Sequence, residues 1–177
     1  VFALIILFNL LPTMTNAENT STNLESGPFL LSADKIIYEQ NKMIIIASGN
    51  VEISTDERIL LAEKVNYNQT TQIVWAEGNI ALLEPSGEVI FANELELDAE
   101  LRAGYIDSVR VLLADGSKIA ANRAIRLQNK NTLLENAVYS PCNICDPPTR
   151  PPLWQIKAAK VHHSRVEQTI EYHNASI

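Results

Sequence analysis

The sequence predicts an all-β domain of stacked repeats, each about 29 residues long and contributing two strands, in the manner of a β-jelly-roll or a short β-solenoid. Three observations lead to this fold class. Apolar and polar residues alternate with a period of two, clusters of turn-forming residues separate the alternating runs, and short sequence markers recur at a nearly fixed interval.

The alternation identifies the strands. Residues 50–54 (Asn-Val-Glu-Ile-Ser) and 94–98 (Glu-Leu-Glu-Leu-Asp) alternate residue by residue, which places successive side chains on opposite faces of a strand. Between residues 29 and 139 no apolar stripe with helical spacing is sustained, so we expect no long helix there. Turn-forming residues bound the strands at six places, namely residues 39–42, 55–57, 68–71, 85–87, 114–117 and 128–131.

The sequence markers indicate that strand pairs repeat. The tripeptide Gly-Asn-Val at residues 49–51 returns 29 residues later as Gly-Asn-Ile at 78–80, and further equal steps reach residues 107–109 and 136–138. A second marker, beginning Ala-Asp-Lys-Ile, has counterparts at residues 33–38, 62–67, 92–97 and 121–124. A two-strand repeat cannot bury its apolar face alone, so the copies should stack around a shared core. An ordinary antiparallel sandwich also has short strands, but it predicts no fixed interval.

We predict five segments, namely a signal peptide over residues 1–17, a linker over 18–28, the β-repeat domain over 29–140, a cysteine- and proline-rich junction over 141–157 and a last, degenerate repeat over 158–177. The first eleven residues are almost purely apolar, as in a signal peptide, and Thr15-Asn16-Ala17 offers a cleavage site. The usual basic start is missing, so we expect a truncated beginning. The alternative is a buried apolar element of the fold.

Composition excludes several classes of function. The net charge is −7 and there is no basic block, so nucleic acid is a poor partner. No nucleophile elbow, phosphate-binding loop or zinc-protease motif occurs, and we therefore expect neither an enzyme nor a cofactor. Apolar residues make up 46% of the 177 residues, enough for one domain with a core of its own.

The alternation also predicts which side chains face the interior of the stack. Two interpretations of this interior remain open: a closed core, or a partly open apolar groove that holds acyl chains. Asp34 and Glu63 have the same parity as their inward neighbours, so we place them at the mouths of the strands. The predicted inward residues, and hence the candidate lipid-binding residues, are Ile36, Tyr38, Val51, Ile53, Val65, Tyr67, Ile80, Leu82, Leu95, Leu97, Val109 and Val111.

The Cys-x-x-Cys segment, Cys142 to Cys145, allows three interpretations. A zinc site would need two further ligands from His162, His163 and His173, whose spacing is not that of a standard zinc finger, and we predict no metal. A redox motif would need a helix that the sequence does not show. A structural disulfide suits an exported protein best, either closed locally or formed with cysteines elsewhere in a longer chain.

Two motifs resemble a known family. The pattern Ala-Asp-Lys-Ile-x-Tyr followed by Ala-Ser-Gly-Asn-Val, at residues 33–51, resembles the OstA-like domains of the lipopolysaccharide transport system. The stretch over residues 139–158, with its two cysteines and the run Pro-Leu-Trp-Gln-Ile-Lys-Ala, is similar to the segment that joins such a domain to its barrel in the LptD family. The resemblance covers about residues 29–177 and is most specific in the cysteine segment.

This resemblance implies a periplasmic β-jelly-roll at the outer membrane that takes up lipopolysaccharide in an apolar trough. Its implied partners are an OstA-like bridge protein, bound by edge-strand pairing, and an outer-membrane barrel with a plug lipoprotein. It also implies that Cys142 and Cys145 form disulfides with the barrel. The chain ends at Ile177 without a barrel, so we expect a fragment. The alternative function is a structural β-adaptor that joins neighbouring β-units without binding lipid.

Overall fold

The computed structural model describes residues 24–25, 29–128, 131–141, 154–164, 166–167 and 169–177. These residues form one twelve-stranded antiparallel sheet, which confirms the predicted all-β class. The strands are β1 Leu24–Glu25, β2 Leu30–Ser32, β3 Lys35–Glu39, β4 Ile44–Ser54, β5 Ile59–Asn68, β6 Ile73–Leu83, β7 Val89–Asp98, β8 Gly104–Leu112, β9 Lys118–Arg126, β10 Asn131–Ser140, β11 Ile156–Ser164 and β12 Thr169–Ser176.

From β4 onward each strand pairs with its neighbours in sequence. At the N-terminal edge, β2 and β3 pair with the two ends of β4, and β1, within the predicted linker, pairs with β2. The single helical element in the described part of the chain is a 3₁₀ turn, Gln40–Lys42. No helix among the described residues is long and apolar enough to cross a membrane.

A corner divides the long strands into two halves. Non-glycine residues adopt a left-handed backbone with positive φ at Asn50, Asn79, Ser108, Asn136 and Asn174, near the middle of alternate strands. Asn tolerates this conformation better than most residues because its short polar side chain can form local hydrogen bonds. The first two intervals are the predicted 29 residues, but the third is 28, so the fourth marker is one residue out of step with the backbone.

The corner lets both halves of a strand face the same interior. In β5 the buried residues are Leu60, Ala62, Val65 and Tyr67, with the parity changing once between Ala62 and Val65. The corner thus separates each long strand into two halves, which we call arm A and arm B. Arm A comprises residues 51–54, 59–62, 80–83, 89–92, 109–112, 118–121, 137–140 and 156–158. Arm B comprises residues 44–48, 65–68, 73–77, 95–98, 104–107, 123–126, 131–135, 161–164 and 169–173. The arms meet across the interior, where Phe29 packs edge-on against Tyr67 of arm B with ring centroids 4.8 Å apart.

The interior is closely packed in the N-terminal half of the stack. Ile53, Leu60, Val74, Leu82 and Leu97 are all fully buried between the arms. Burying an aliphatic side chain of this size contributes roughly 1.5–3 kcal/mol, so this half supplies most of the driving force for folding. Toward β12 the packing loosens, and every residue of β12 is exposed.

Candidate functional site

An apolar groove lies between the two arms in the C-terminal half of the stack. Its volume is about 410 Å³, which falls within the usual range of small-molecule sites. It runs from β7 to β12, so five inter-strand spacings of about 4.8 Å give it a length of roughly 24 Å. Its apolar walls are formed by Ile90, Ile106, Val109, Val111, Leu113, Ile119, Ala124, Leu134, Ala137, Tyr139, Ile156, Val161, Ile170 and Tyr172.

One row of cross-strand neighbours explains why the interior opens. We call it the mouth row, because it follows the inward face of arm B at the free ends of the strands. In register, it consists of Ile45, Tyr67, Val74, Leu97, Gly104, Arg126, Thr132, His163 and Ile170. Its first four members are buried apolar residues that fill the space between the arms. The next four are glycine or polar residues, which leave apolar space behind them unfilled.

The inward residues of arm A next to the corner change in the same direction. The packed half has Val51 and Ile80 there, whereas β9, β10 and β11 have Ala121, Ala137 and Ala158. Small residues at the back and polar residues at the mouth together produce a groove that is apolar inside and open to solvent.

The predicted interior residues divide between the two halves. Val109 and Val111 line the groove, and Ile36 is partly buried against the core. The interior placement of Tyr38 is wrong, since its exposed fraction is 48%. Tyr38 lies opposite Ile45 and so has the inward parity, but β3 is a terminal strand and no further described strand pairs with it. The other predicted residues, Val51, Ile53, Val65, Tyr67, Ile80, Leu82, Leu95 and Leu97, are at most 3% exposed in the packed half.

Asp34 and Glu63 lie at the corner and not at the strand mouths. The side-chain amide of Asn50 donates to a carboxylate oxygen of Asp34 at 2.9 Å, and that of Asn79 donates to Glu63 in the same way. Each acid therefore holds the left-handed Asn of the next long strand. These two residues belong to the framework of the fold.

Strict period-two alternation does not predict most of the residues that line the groove. Ile106 and Val109 both face inward although they are three residues apart, because Ser108 forms the corner between them. The marker at residues 107–109 was the available signal for this change of parity. Val161 lies in the degenerate last repeat, and Leu134 precedes the fourth marker, which is one residue out of step with the backbone, so alternation identifies neither residue.

A buried ion cluster spans the mouth between the arms where the packed half gives way to the groove. The Glu84 carboxylate is fully buried; it accepts from Arg58 Nε at 3.1 Å and from Arg126 Nη1 at 2.5 Å. Arg58 and Glu84 adjoin the ends of arm A, whereas Arg126 is the last residue of β9 in arm B. We call these three residues the clasp. A buried charge is tolerated only when it is paired, so the clasp ties the two arms together.

The pKa values of two side chains that line the groove are shifted by their surroundings. The Ser117 hydroxyl and backbone N–H donate to the Asp115 carboxylate, which lowers the pKa of Asp115. Partial burial raises the pKa of the Tyr172 phenol. Among the described residues, no three His, Cys, Asp or Glu side chains are grouped to hold a metal ion.

The three histidines considered as zinc ligands do not surround one site. His163 lines the groove, whereas His162 and His173 flank the Glu171 carboxylate at 3.7 and 3.9 Å. Cys142 and Cys145 fall outside the described residues. On either side of that segment, the rings of Tyr139 and Trp154 are 6.2 Å apart, so the end of β10 lies close to the residues that lead into β11.

The match to a family model agrees with the sequence motifs. A family model described as "LptA/(LptD N-terminal domain) LPS transport protein" matches residues 30–169. Among solved structures, the chain is similar to LptH, "the LptA homologous periplasmic component of the conserved lipopolysaccharide transport device from Pseudomonas aeruginosa", with 11% identity, 82% of this chain and 81% of that chain covered, and a TM-score of 0.33. No curated protein matches. Because the family match spans most of its length, the chain belongs to the LptA/LptD N-terminal domain family of lipopolysaccharide transport proteins.

Proposed function

We propose that the groove holds acyl chains of lipopolysaccharide while the lipid moves toward the outer membrane. The observation that carries this proposal is an apolar groove, open to solvent along its mouth, in a member of a lipopolysaccharide transport family. Each acyl methylene removed from water contributes roughly 0.8 kcal/mol. A groove that shields only part of a lipid binds it reversibly, as transfer between carriers requires.

The open end of the sheet supports passage to a neighbour. All eight residues of β12 are exposed, and its outer edge has no partner strand among the described residues. A partner that adds a strand there would extend both the sheet and the groove. We propose an OstA-like bridge protein and an outer-membrane barrel with its plug lipoprotein as neighbours. We also propose that the chain is exported to the periplasmic side of the outer membrane and that it is not an enzyme. Cys142 and Cys145 would join it to the barrel.

A structural β-adaptor is the second candidate, and the packed half favours it. From β4 to β6 the inward side chains fill the space between the arms, and Leu60 and Leu82 are fully buried. An adaptor needs only a rigid stack with usable edges. It predicts that the groove is filled by solvent or by a partner's side chains, and that no lipid binds.

Site-specific photocrosslinking in the periplasm of a Gram-negative host tests the proposal. A photoreactive amino acid is placed at Val111 or Leu134 in the groove, at Val65 in the packed half, and at Leu112 on the outer face. Crosslinks to lipopolysaccharide from the two groove positions alone would support a lipid carrier. A folded, exported chain without groove crosslinks, or with equal crosslinks from Leu112, would favour the adaptor.

A further inference from the structure

A second cavity, of about 490 Å³, lies at the mouth beside the groove. We call it the mouth pocket. Its walls come from both arms: Arg58 from the arm A side, and Arg102 with Arg126 from the arm B side. Arg126 and Thr132 line both the groove and the mouth pocket, so the two cavities adjoin.

The charge balance of the mouth pocket favours an anion. Three guanidinium groups face it, and Glu57 is the one acid on its wall. Of the acids paired with these arginines, only Glu84 is buried, and its single carboxylate is shared by Arg58 and Arg126. Two buried cations therefore share one buried anion, an imbalance that an additional anion would relieve.

The remaining acids are weak competitors for an incoming anion. Glu57 pairs with Arg58 at 3.2 Å with its side chain 58% exposed, and Glu100 pairs with Arg102 at 3.0 Å with both side chains 55% exposed. Exposed ion pairs contribute little because water and salt screen them. A bound anion can displace Glu57 and Glu100 without disturbing the Glu84 contacts.

We propose that the mouth pocket binds the phosphorylated head group of an amphiphile whose acyl chain occupies the groove. A phosphate group carries close to two negative charges at neutral pH, and guanidinium groups bind its oxygens through paired, charge-assisted hydrogen bonds. Arginines from both arms can therefore share one phosphate. This inference rests on the proposed function, since it assigns a head-group site to the same lipid.

The test compares three probes on the full chain by isothermal titration calorimetry: tetradecyl phosphate, tetradecyl glucoside and inorganic phosphate. We expect tetradecyl phosphate to bind about tenfold more tightly than the glucoside, the effect of one charge-assisted contact. Arg102→Gln should remove most of that preference. Arg102 is exposed and outside the clasp, so this change leaves the arms joined. Arg110→Gln, the same change on the exposed outer face, should leave the preference intact.

Each other outcome has a distinct meaning. Equal binding of the two amphiphiles, or equal effects of Arg102→Gln and Arg110→Gln, would overturn the head-group site while leaving the groove proposal in place. Inorganic phosphate that binds as tightly as tetradecyl phosphate would assign the pocket to free phosphate, which also overturns it. Failure of both amphiphiles to bind would overturn the groove proposal itself, and the head-group site with it.

Discussion

Arg126 and Glu84 meet across the mouth of the stack, with Nη1 of the guanidinium 2.5 Å from a carboxylate oxygen, although 42 residues separate them in sequence. Glu84 adjoins the arm A end of β6 and Arg126 ends β9 in arm B, so this contact fixes the distance between the arms. It lies where the packed half gives way to the groove. The pair therefore determines where the interior can begin to open.

Replacing Glu84 with Gln should destabilise the fold strongly. The substitution keeps the shape but leaves the buried Arg126 guanidinium without a counter-charge and Arg58 with only the exposed Glu57, a loss of about 3–5 kcal/mol. Urea denaturation of the purified chain measures it. Glu57→Gln, at the exposed rim, is the matched control and should cost less than about 1 kcal/mol. Similar losses for both variants would show that the clasp does not join the arms.

Leucine truncation should distinguish the packed half from the groove. Leu82→Ala removes a fully buried side chain and should cost about 2–5 kcal/mol, because it leaves a cavity. Leu113→Ala enlarges a space that is already open, and we expect a loss below about 1 kcal/mol. Thermal unfolding of the two variants provides the comparison. An equal loss would mean that the groove is closed in solution.

A carboxylate placed in the groove should weaken acyl-chain binding. Val111→Asp puts a charge against the bound chain, which would have to be desolvated, and we expect at least about tenfold weaker binding of tetradecyl glucoside. Leu112→Asp, one residue away on the exposed outer face, should bind the glucoside as well as the unmodified chain does. Titration calorimetry measures both. Equal weakening would contradict the assignment of the inward face.

Gly78→Ala should cost more stability than Gly87→Ala. Both glycines have similar positive φ values, 79° and 84°, so the backbone strain of about 1–2 kcal/mol is shared. At Gly78 an added Cβ would also collide with the Glu63 side chain, whereas at Gly87 its nearest neighbour would be 3.7 Å away. Displacing Glu63 breaks its hydrogen bond with Asn79, adding about 1 kcal/mol. Equal losses of unfolding free energy in urea titrations would show that the contact between Glu63 and Asn79 does not stabilise the corner.

The sequence was sufficient to predict the strands, the turns and the two-strand repeat, because these depend on local alternation and on residues such as Asn79 at the corner. It was also sufficient to place Val65 and Leu95 in the interior. Strict alternation failed where the corner changes the parity, which explains why Leu60 and Ile106 were not among the predicted inward residues.

The position of the groove could not be predicted from local pattern. It depends on the register that places Arg126 and Thr132 in the same row as Tyr67 and Leu97, strands away in the sheet. The clasp could not be predicted from the sequence for the same reason. Arg58 and Glu84 are 26 residues apart, and each resembles an ordinary turn residue.

Because each long strand pairs only with its immediate neighbours, local opening free energies should form a gradient along the chain. Strand β5 has partners on both sides and a buried inward face, so its amide protons should exchange with solvent only near global unfolding. Strand β12 is held by β11 alone among the described residues, and its side chains are exposed. Its amides should exchange fastest, and fraying would begin at the edge that a neighbouring chain would meet.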